Sequence, residues 1–179
     1  MTHKYDFKKI DESLTEQILK IITKTLTEIA RKKNIRATPE GIKEGIGFSY
    51  NTPYNIAYGL AKKGIIDIEK GKTTETGYRI FETIVDISLI IKSEAAFPEL
   101  DRGKIIGALL YAFYDWSGKH GSPEEYLECL KSFKNKIIRL KKENYQAFSL
   151  LARLLPRVYY EDGYSPQKLL EDILRYQQV

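Results

Sequence analysis

The sequence predicts a mostly α-helical protein that has one short β-hairpin in its N-terminal half and only helices in its second half. Apolar residues recur at spacings of three and four over most of the chain, which is typical of amphipathic helices. Four segments open with a hydroxyl residue followed by Pro, at Thr38, Thr52, Ser122 and Ser165. Such pairs predict helix starts, because the hydroxyl caps free backbone N–H groups and Pro lacks one.

Three helices are expected ahead of the hairpin. Apolar spacing predicts the first helix over residues 14–33, and a short extended link leads to a second helix over residues 39–46. The third helix should span residues 53–63 and stop at Gly64, because glycine readily adopts the left-handed conformation that ends many helices.

The hairpin is expected directly after the third helix. Residues 65–69 predict a strand, residues 70–72 a turn around Gly71, and residues 73–74 the returning strand. Thr74 or Thr76 should then cap a fourth helix of about 18 residues. Residues 95–101 interrupt that helix with a Pro, so we predict a domain boundary that separates residues 1–94 from residues 95–179.

The second half predicts four more helices, over residues 102–117, 123–142, 144–155 and 166–178. Residues 105–118 are apolar almost all round, so this segment should form a central, buried helix.

The element order of residues 38–82 resembles the winged-helix form of the helix-turn-helix, as in the multiple-antibiotic-resistance and arsenic-sensor types of regulator. The residues that carry the resemblance are Leu60, Gly64, Ile65 and Ile66 at the end of the third helix, and Thr74, Glu75, Thr76 and Gly77 at the start of the fourth. The resemblance covers somewhat under half of the chain. It implies a double-stranded DNA-binding winged helix, made of three helices and a small β-hairpin wing, at residues 1–94. The helical domain at residues 95–179, which resembles no family, would serve dimerisation or bind a partner or ligand.

The third helix would then enter the DNA major groove with its N-terminal end leading. Asn55 can bond the adenine edge in a bidentate manner, and Tyr54 and Tyr58 lie on the same outward part of the helix. Lys62 and the two lysines of the wing would hold phosphates. The full set of predicted DNA-binding residues is Arg36, Lys43, Asn51, Thr52, Tyr54, Asn55, Tyr58, Lys62, Lys70 and Lys72.

The charge distribution suits an anionic partner of the N-terminal half. The net charge is +5, and the residues up to Glu82 account for +4 of it, although such an excess can also simply maintain solubility. We therefore expect a sequence-specific DNA-binding homodimer that acts as a transcriptional regulator, or in replication or partition of a small genetic element. The basic residues 133–142 would be a solvated face, a second contact to the DNA backbone or the edge of a dimer interface.

Two alternatives stay open. A winged helix can serve only as a protein-interaction subunit of a larger complex, and the absence of Arg from the third helix favours that interpretation, because Arg is the commonest base reader. The aromatic residues of the segment at 105–118 could also line a pocket for a small effector, as in ligand-sensing regulators.

We expect no enzyme, cofactor or metal site. The two histidines, His3 and His120, lie in a tail and a loop, and Cys129 lies inside a predicted helix, where a buried packing role is typical. Neither a phosphate-binding loop nor a zinc-ligand cluster is present. The polar N-terminus and the lack of a long apolar run predict a cytoplasmic protein without a membrane partner. The abundance of Ile, Lys and Tyr suits an archaeal or viral, thermophilic source.

Overall fold

The computed structural model describes residues 12–47, 53–92, 102–114 and 121–154, and in addition residues 168, 169, 171, 172 and 175. Over these residues the protein is mostly helical and carries one two-stranded antiparallel sheet, which confirms the predicted mostly α class. The elements are α1 (Glu12–Lys32), α2 (Pro39–Ile46), α3 (Pro53–Lys63), β1 (Ile66–Asp67), β2 (Lys72–Thr73), α4 (Glu75–Lys92), α5 (Arg102–Phe113), α6 (Pro123–Glu143) and α7 (Tyr145–Leu154). Among the helices of this part of the chain, none combines the length and the apolarity that crossing a bilayer demands.

Side-chain caps account for the clear helix starts. The capping bonds run from the Gly41 amide to Thr38 Oγ1 at 3.0 Å, from the Glu125 amide to Ser122 Oγ at 3.1 Å, and from the Gly77 amide to Thr74 Oγ1 at 3.2 Å. Gly64 ends α3 with a φ of +90°, as predicted. The expected caps at Thr52 and Ser165, and the boundary at residues 95–101, lie outside the described residues.

A single hydrophobic cluster joins helices from both halves of the chain. Leu26 of α1, Ile42 of α2, Phe81 of α4, Phe113 of α5 and Phe148 of α7 are all fully buried within it. Every residue of α5 from Ile106 to Phe113 is buried, which confirms the predicted central helix. The N-terminal helices and the second half therefore share their core.

The α2–α5 crossing is the most extensive helix packing among the described elements, and glycines make it close. A Cβ at Gly45 would collide with the carbonyl oxygen of Lys104, and a Cβ at Gly107 would collide with the carbonyl oxygen of Ile42. Backbone therefore meets backbone at this crossing, which only a residue without a side chain permits. Gly103, four residues before Gly107, is also buried.

A carboxylate on α4 ties two further helices together. Asp86 accepts from Lys33 Nζ, in the residue after α1, at 2.6 Å and from Lys134 Nζ of α6 at 3.0 Å. The hydrogen bond to Asp86 raises the pKa of Lys33 above 10.5, although burial acts in the opposite direction. The ion pairs are partly shielded from water, so salt screens them less than it screens a fully exposed pair.

We predict that Gly107→Ala lowers the free energy of unfolding by about 1–3 kcal/mol, because the new methyl group forces the two backbones apart. The loss should appear despite the roughly 1 kcal/mol by which alanine ordinarily favours a helix over glycine. Urea denaturation measures the change. Gly47→Ala is the matched control, since a methyl there would come no closer than 3.2 Å to a neighbouring atom and its φ of −84° suits alanine. Unchanged stability of Gly107→Ala would refute the close crossing.

We predict that Asp86→Asn costs about 1–2 kcal/mol near neutral pH, because two half-buried ammonium groups lose their carboxylate. Since the folded-state pKa of Lys33 is raised above 10.5, its contribution is complete below that pH and disappears as the pH rises through the folded value. The difference between wild type and variant should therefore shrink in alkaline solution.

Denaturation at several pH values tests this. Glu75→Gln is the control, because it removes only the exposed partner of Arg79 on the same helix. That change should cost no more than about 0.5 kcal/mol. A gap between wild type and Asp86→Asn that persists unchanged to strongly alkaline pH would contradict the assignment.

Candidate nucleic-acid interface

Helix α3 has one buried face and one outward face. Ile56, Ala57, Leu60 and Ala61 are buried, and α3 packs on α1, α2 and β1. On the other side, Asn55 and Lys62 are exposed and Tyr58 is half-buried. Their spacing of three and four residues places these three side chains in one line along the helix, which we call the α3 stripe.

The hairpin displays two lysines at its tip. Its register pairs Ile66 with Thr73 and Asp67 with Lys72. Asp67 Oδ1 accepts from the Lys70 amide at 3.1 Å, and Gly71 turns the chain at a φ of +65°. Lys70 and Lys72 are exposed, as a wing tip that contacts an anion requires, although the neighbouring Glu69 is exposed as well.

Threonine hydroxyls and a close approach at a glycine hold the hairpin against the helices. Thr74 Oγ1 donates to the Ile65 carbonyl at 2.9 Å, and the Thr73 hydroxyl shares a hydrogen bond of 2.7 Å with Thr25 of α1. A Cβ at Gly77 would collide with the Ile65 carbonyl oxygen. The Thr74–Gly77 segment therefore has a structural task here, which is to let α4 start against the hairpin.

Two of the predicted phosphate ligands lie apart from the α3 stripe. Arg36 is exposed in the link between α1 and α2. Lys43 of α2 lies 5.9 Å from the ring centroid of Tyr54 and 3.7 Å from Glu16 Oε1. A phosphate that binds Lys43 would have to replace this carboxylate. Asn51 and Thr52 lie outside the described residues.

Tyr114 and the residues just before α6 lie against the C-terminal half of α3. The Tyr114 hydroxyl packs directly against Gly59, and Lys63 Nζ donates to the Gly121 carbonyl at 2.5 Å. Burial lowers the pKa of Lys63, and nearby Glu125 partly offsets that effect. A cleft of about 670 Å³ remains between the two helices, which we call the α3–α6 cleft. It is lined by Asn55, Tyr58, Gly59, Lys62, Lys63, Tyr114, Gly121, Ser122 and Pro123.

The structure thus aligns Asn55, Tyr58 and Lys62 along α3 and exposes Lys70 and Lys72 on the hairpin, while Arg36 and Lys43 belong to other elements. Sequence reasoning did not foresee that Tyr114 and Gly121 flank the stripe. These residues are more than 50 positions from Gly59 and Lys63, and no local pattern could pair them. The glycine at position 59 was the one available signal, because a helix-interior glycine often marks a close approach.

The described residues contain no group of three or more His, Cys, Asp or Glu side chains that could hold a metal ion. Cys129 is half-buried within α6, and the two histidines lie outside the described ranges. Comparisons with protein-family models, with curated proteins and with solved structures give no match to this chain.

Close to the α3–α6 cleft, α6 carries a buried tyrosine whose hydroxyl lacks a hydrogen-bond partner among the described residues. Tyr126 is fully buried, and its hydroxyl has no hydrogen-bond partner among the described residues. Burial raises the pKa of this phenol, and the nearby Tyr114 raises it further. An unsatisfied buried hydroxyl is destabilising, because it has lost its hydration without replacement.

We predict that Tyr126→Phe raises the free energy of unfolding by about 1–2 kcal/mol, because it removes the desolvated hydroxyl and keeps the ring. Thermal or urea denaturation measures the gain. Tyr145→Phe is the matched control, since the Tyr145 side chain is 52% exposed and its substitution should have little effect. A clear loss of stability on Tyr126→Phe would mean that the hydroxyl is hydrogen-bonded in solution.

Proposed function

We propose that this protein binds double-stranded DNA, with α2 and α3 as a helix-turn-helix and the β1–β2 hairpin as a wing. The observation that carries the proposal is the α3 stripe. An amide, a phenol and an ammonium group stand in line on the side of α3 opposite its buried face. An α-helix that presents such a line fits the major groove, where amide side chains read adenine and phenols and ammonium groups bond phosphates.

The residues divide into two roles. Asn55 reads a base, with Tyr54 and Tyr58 beside it, while Lys62, Lys70 and Lys72 hold the flanking phosphates. The contacts from the second half, at Gly59 and Lys63, fall on the C-terminal half of α3. The end that begins at Pro53 therefore leads into the groove, as is usual for recognition helices.

The biological role that fits this activity is transcriptional regulation, or replication or partition of a small genetic element. A homodimer on a two-fold symmetric site is the simplest assembly, since two copies of one short helix double the recognised sequence. The helices of the second half are the elements left to supply the dimer contact or a protein partner.

A second candidate is a winged-helix interaction subunit that does not read DNA bases. The α3–α6 cleft favours it, because the three residues of the α3 stripe line this concave surface together with Tyr114. Aromatic side chains in a depression are typical anchors of protein interfaces.

Selection of binding sites from a random duplex pool, followed by fluorescence anisotropy on the enriched sequence, separates the two candidates. Enrichment of one motif with submicromolar affinity supports the DNA-binding proposal. Failure to enrich any motif, together with elution from a DNA column at low salt, would leave only the interaction subunit.

We predict that Asn55→Ala weakens binding to the selected sequence by about 1–3 kcal/mol and leaves binding to random duplex nearly unchanged. The reason is that a bidentate amide contact distinguishes bases, whereas phosphate contacts do not. Anisotropy on the two duplexes measures both affinities. Gln17→Ala is the control, because Gln17 is an exposed amide on α1, a helix that contributes no residue to the proposed interface. Equal losses on both duplexes would exclude a base-reading role for Asn55.

A further inference from the structure

Helix α6 carries a line of cations that the fold does not use. Lys136, Arg139 and Lys142 are exposed, and they follow one another at intervals of three residues. We call these three side chains the α6 basic face. These side chains point outward, because Phe133, Ile137 and Leu140 on the other side of the helix are buried in the core.

These cations lack the carboxylate partners that some other cations of the described residues have. Lys43, Arg79 and Lys104 each form an ion pair with a glutamate. By contrast, no ion pair joins the α6 basic face to any carboxylate in the described part of the chain. The only acid at helical-neighbour spacing from the three is Glu143, four residues after Arg139, in the less favourable order for such a pair.

Helix stability does not account for the arrangement. Like charges three residues apart repel each other along a helix, so Arg139 is disfavoured by a cation on either side. The helix dipole favours cations only in the last turn, which contains Lys142 but leaves Lys136 unexplained. An external anion that binds this face would offset the repulsion among its cations.

From these observations we infer that the α6 basic face is a second contact with the phosphate backbone of double-stranded DNA, outside α3 and the hairpin. The three cations span about 9 Å along the helix axis, given a rise of about 1.5 Å per residue. DNA presents one negative charge per about 1.7 Å of its axis, so each cation can meet a phosphate. The inference rests on the proposed function for its partner.

Other anionic partners fit this face less well. A membrane-surface helix needs a free apolar face, and the apolar face of α6 lies in the core. Single-stranded nucleic acid needs aromatic side chains for base stacking, and none lies between Lys136 and Lys142. A protein interface needs a buried apolar centre, whereas Ile138 is the one large apolar side chain exposed on α6, at 38%.

The test uses the full chain and a 30-base-pair duplex of random sequence. The triple variant K136Q/R139Q/K142Q removes three positive charges and keeps polar side chains of similar helix propensity. K20Q/K24Q/R31Q is the matched control, because it removes the same charge from exposed positions of α1. Each of those α1 cations has a glutamate at helical-neighbour spacing, either Glu16 or Glu28. Circular dichroism confirms that both variants are folded.

Affinity is measured by anisotropy over a series of salt concentrations. Loss of three phosphate contacts should reduce the slope of log K against log salt by about 2.7, at about 0.9 per contact. At 0.1 M salt this corresponds to a loss of up to about 500-fold in affinity. The α1 control should keep the wild-type slope. A wild-type slope in the α6 variant, or an equal change in both variants, would overturn the inference.

A third variant, K62Q/K70Q/K72Q, separates this inference from the proposed function. If it lowers the slope and the α6 variant does not, DNA binding by α3 and the wing stands and the α6 contact is wrong. If only the α6 variant lowers the slope, the α6 contact stands and the α3 and wing assignment is wrong. Failure of the wild-type protein to bind the duplex at 50 mM salt would refute both the α6 contact and the proposed function.

Discussion

The close crossing of α2 and α5 is the constraint on which the rest of this architecture depends. Gly45 and Gly107 let one backbone rest on the other, so the first half of the chain cannot move independently of the second at this point. Helices α2 and α3 both pack on α1, so the α2–α5 crossing also helps to fix where α3 lies. The N-terminal helices and the second half therefore bury one common hydrophobic core among the described residues.

This shared core changes what the second half can do. Tyr114, the residue after α5, rests on Gly59, and the segment before α6 accepts a hydrogen bond from Lys63. Anything that moves α5 or the start of α6 therefore acts directly on the C-terminal half of α3. A ligand or partner that binds the second half would therefore act on the proposed interface directly, because the two are in contact.

The sequence predicted most of the secondary structure because its signals are local. Thr38 and Ser122 cap their helices through bonds that span three residues, and Gly64 and Gly71 adopt the positive φ that their position in a turn requires. Helix α3 and its buried stripe were predicted for the same reason, since Ala57 and Leu60 follow the period of one helix.

The surroundings of the candidate site could not be predicted in that way. The contact between Gly59 and Tyr114, the cation held between Tyr54 and Glu16, and the α2–α5 crossing all join residues far apart in sequence. A glycine in a helix shows that something comes close, but not what comes close. The sequence placed Tyr54 and Tyr58 on an outward part of α3, but it could not show that Tyr114 and Gly121 contact the neighbouring Gly59 and Lys63.

The composition of the proposed interface also determines what kind of DNA binding it can deliver. Helix α3 contains no Arg, so in the proposed complex Asn55 would be its main hydrogen-bonding reader of bases, and one bidentate pair distinguishes bases by about 1–3 kcal/mol. Phosphate contacts add affinity without sequence information. An interface with one strong reader and many cations must therefore be sensitive to salt and modest in specificity for a single copy. High specificity would require a second copy of α3 on the same DNA, which is the physical reason to expect a two-fold assembly.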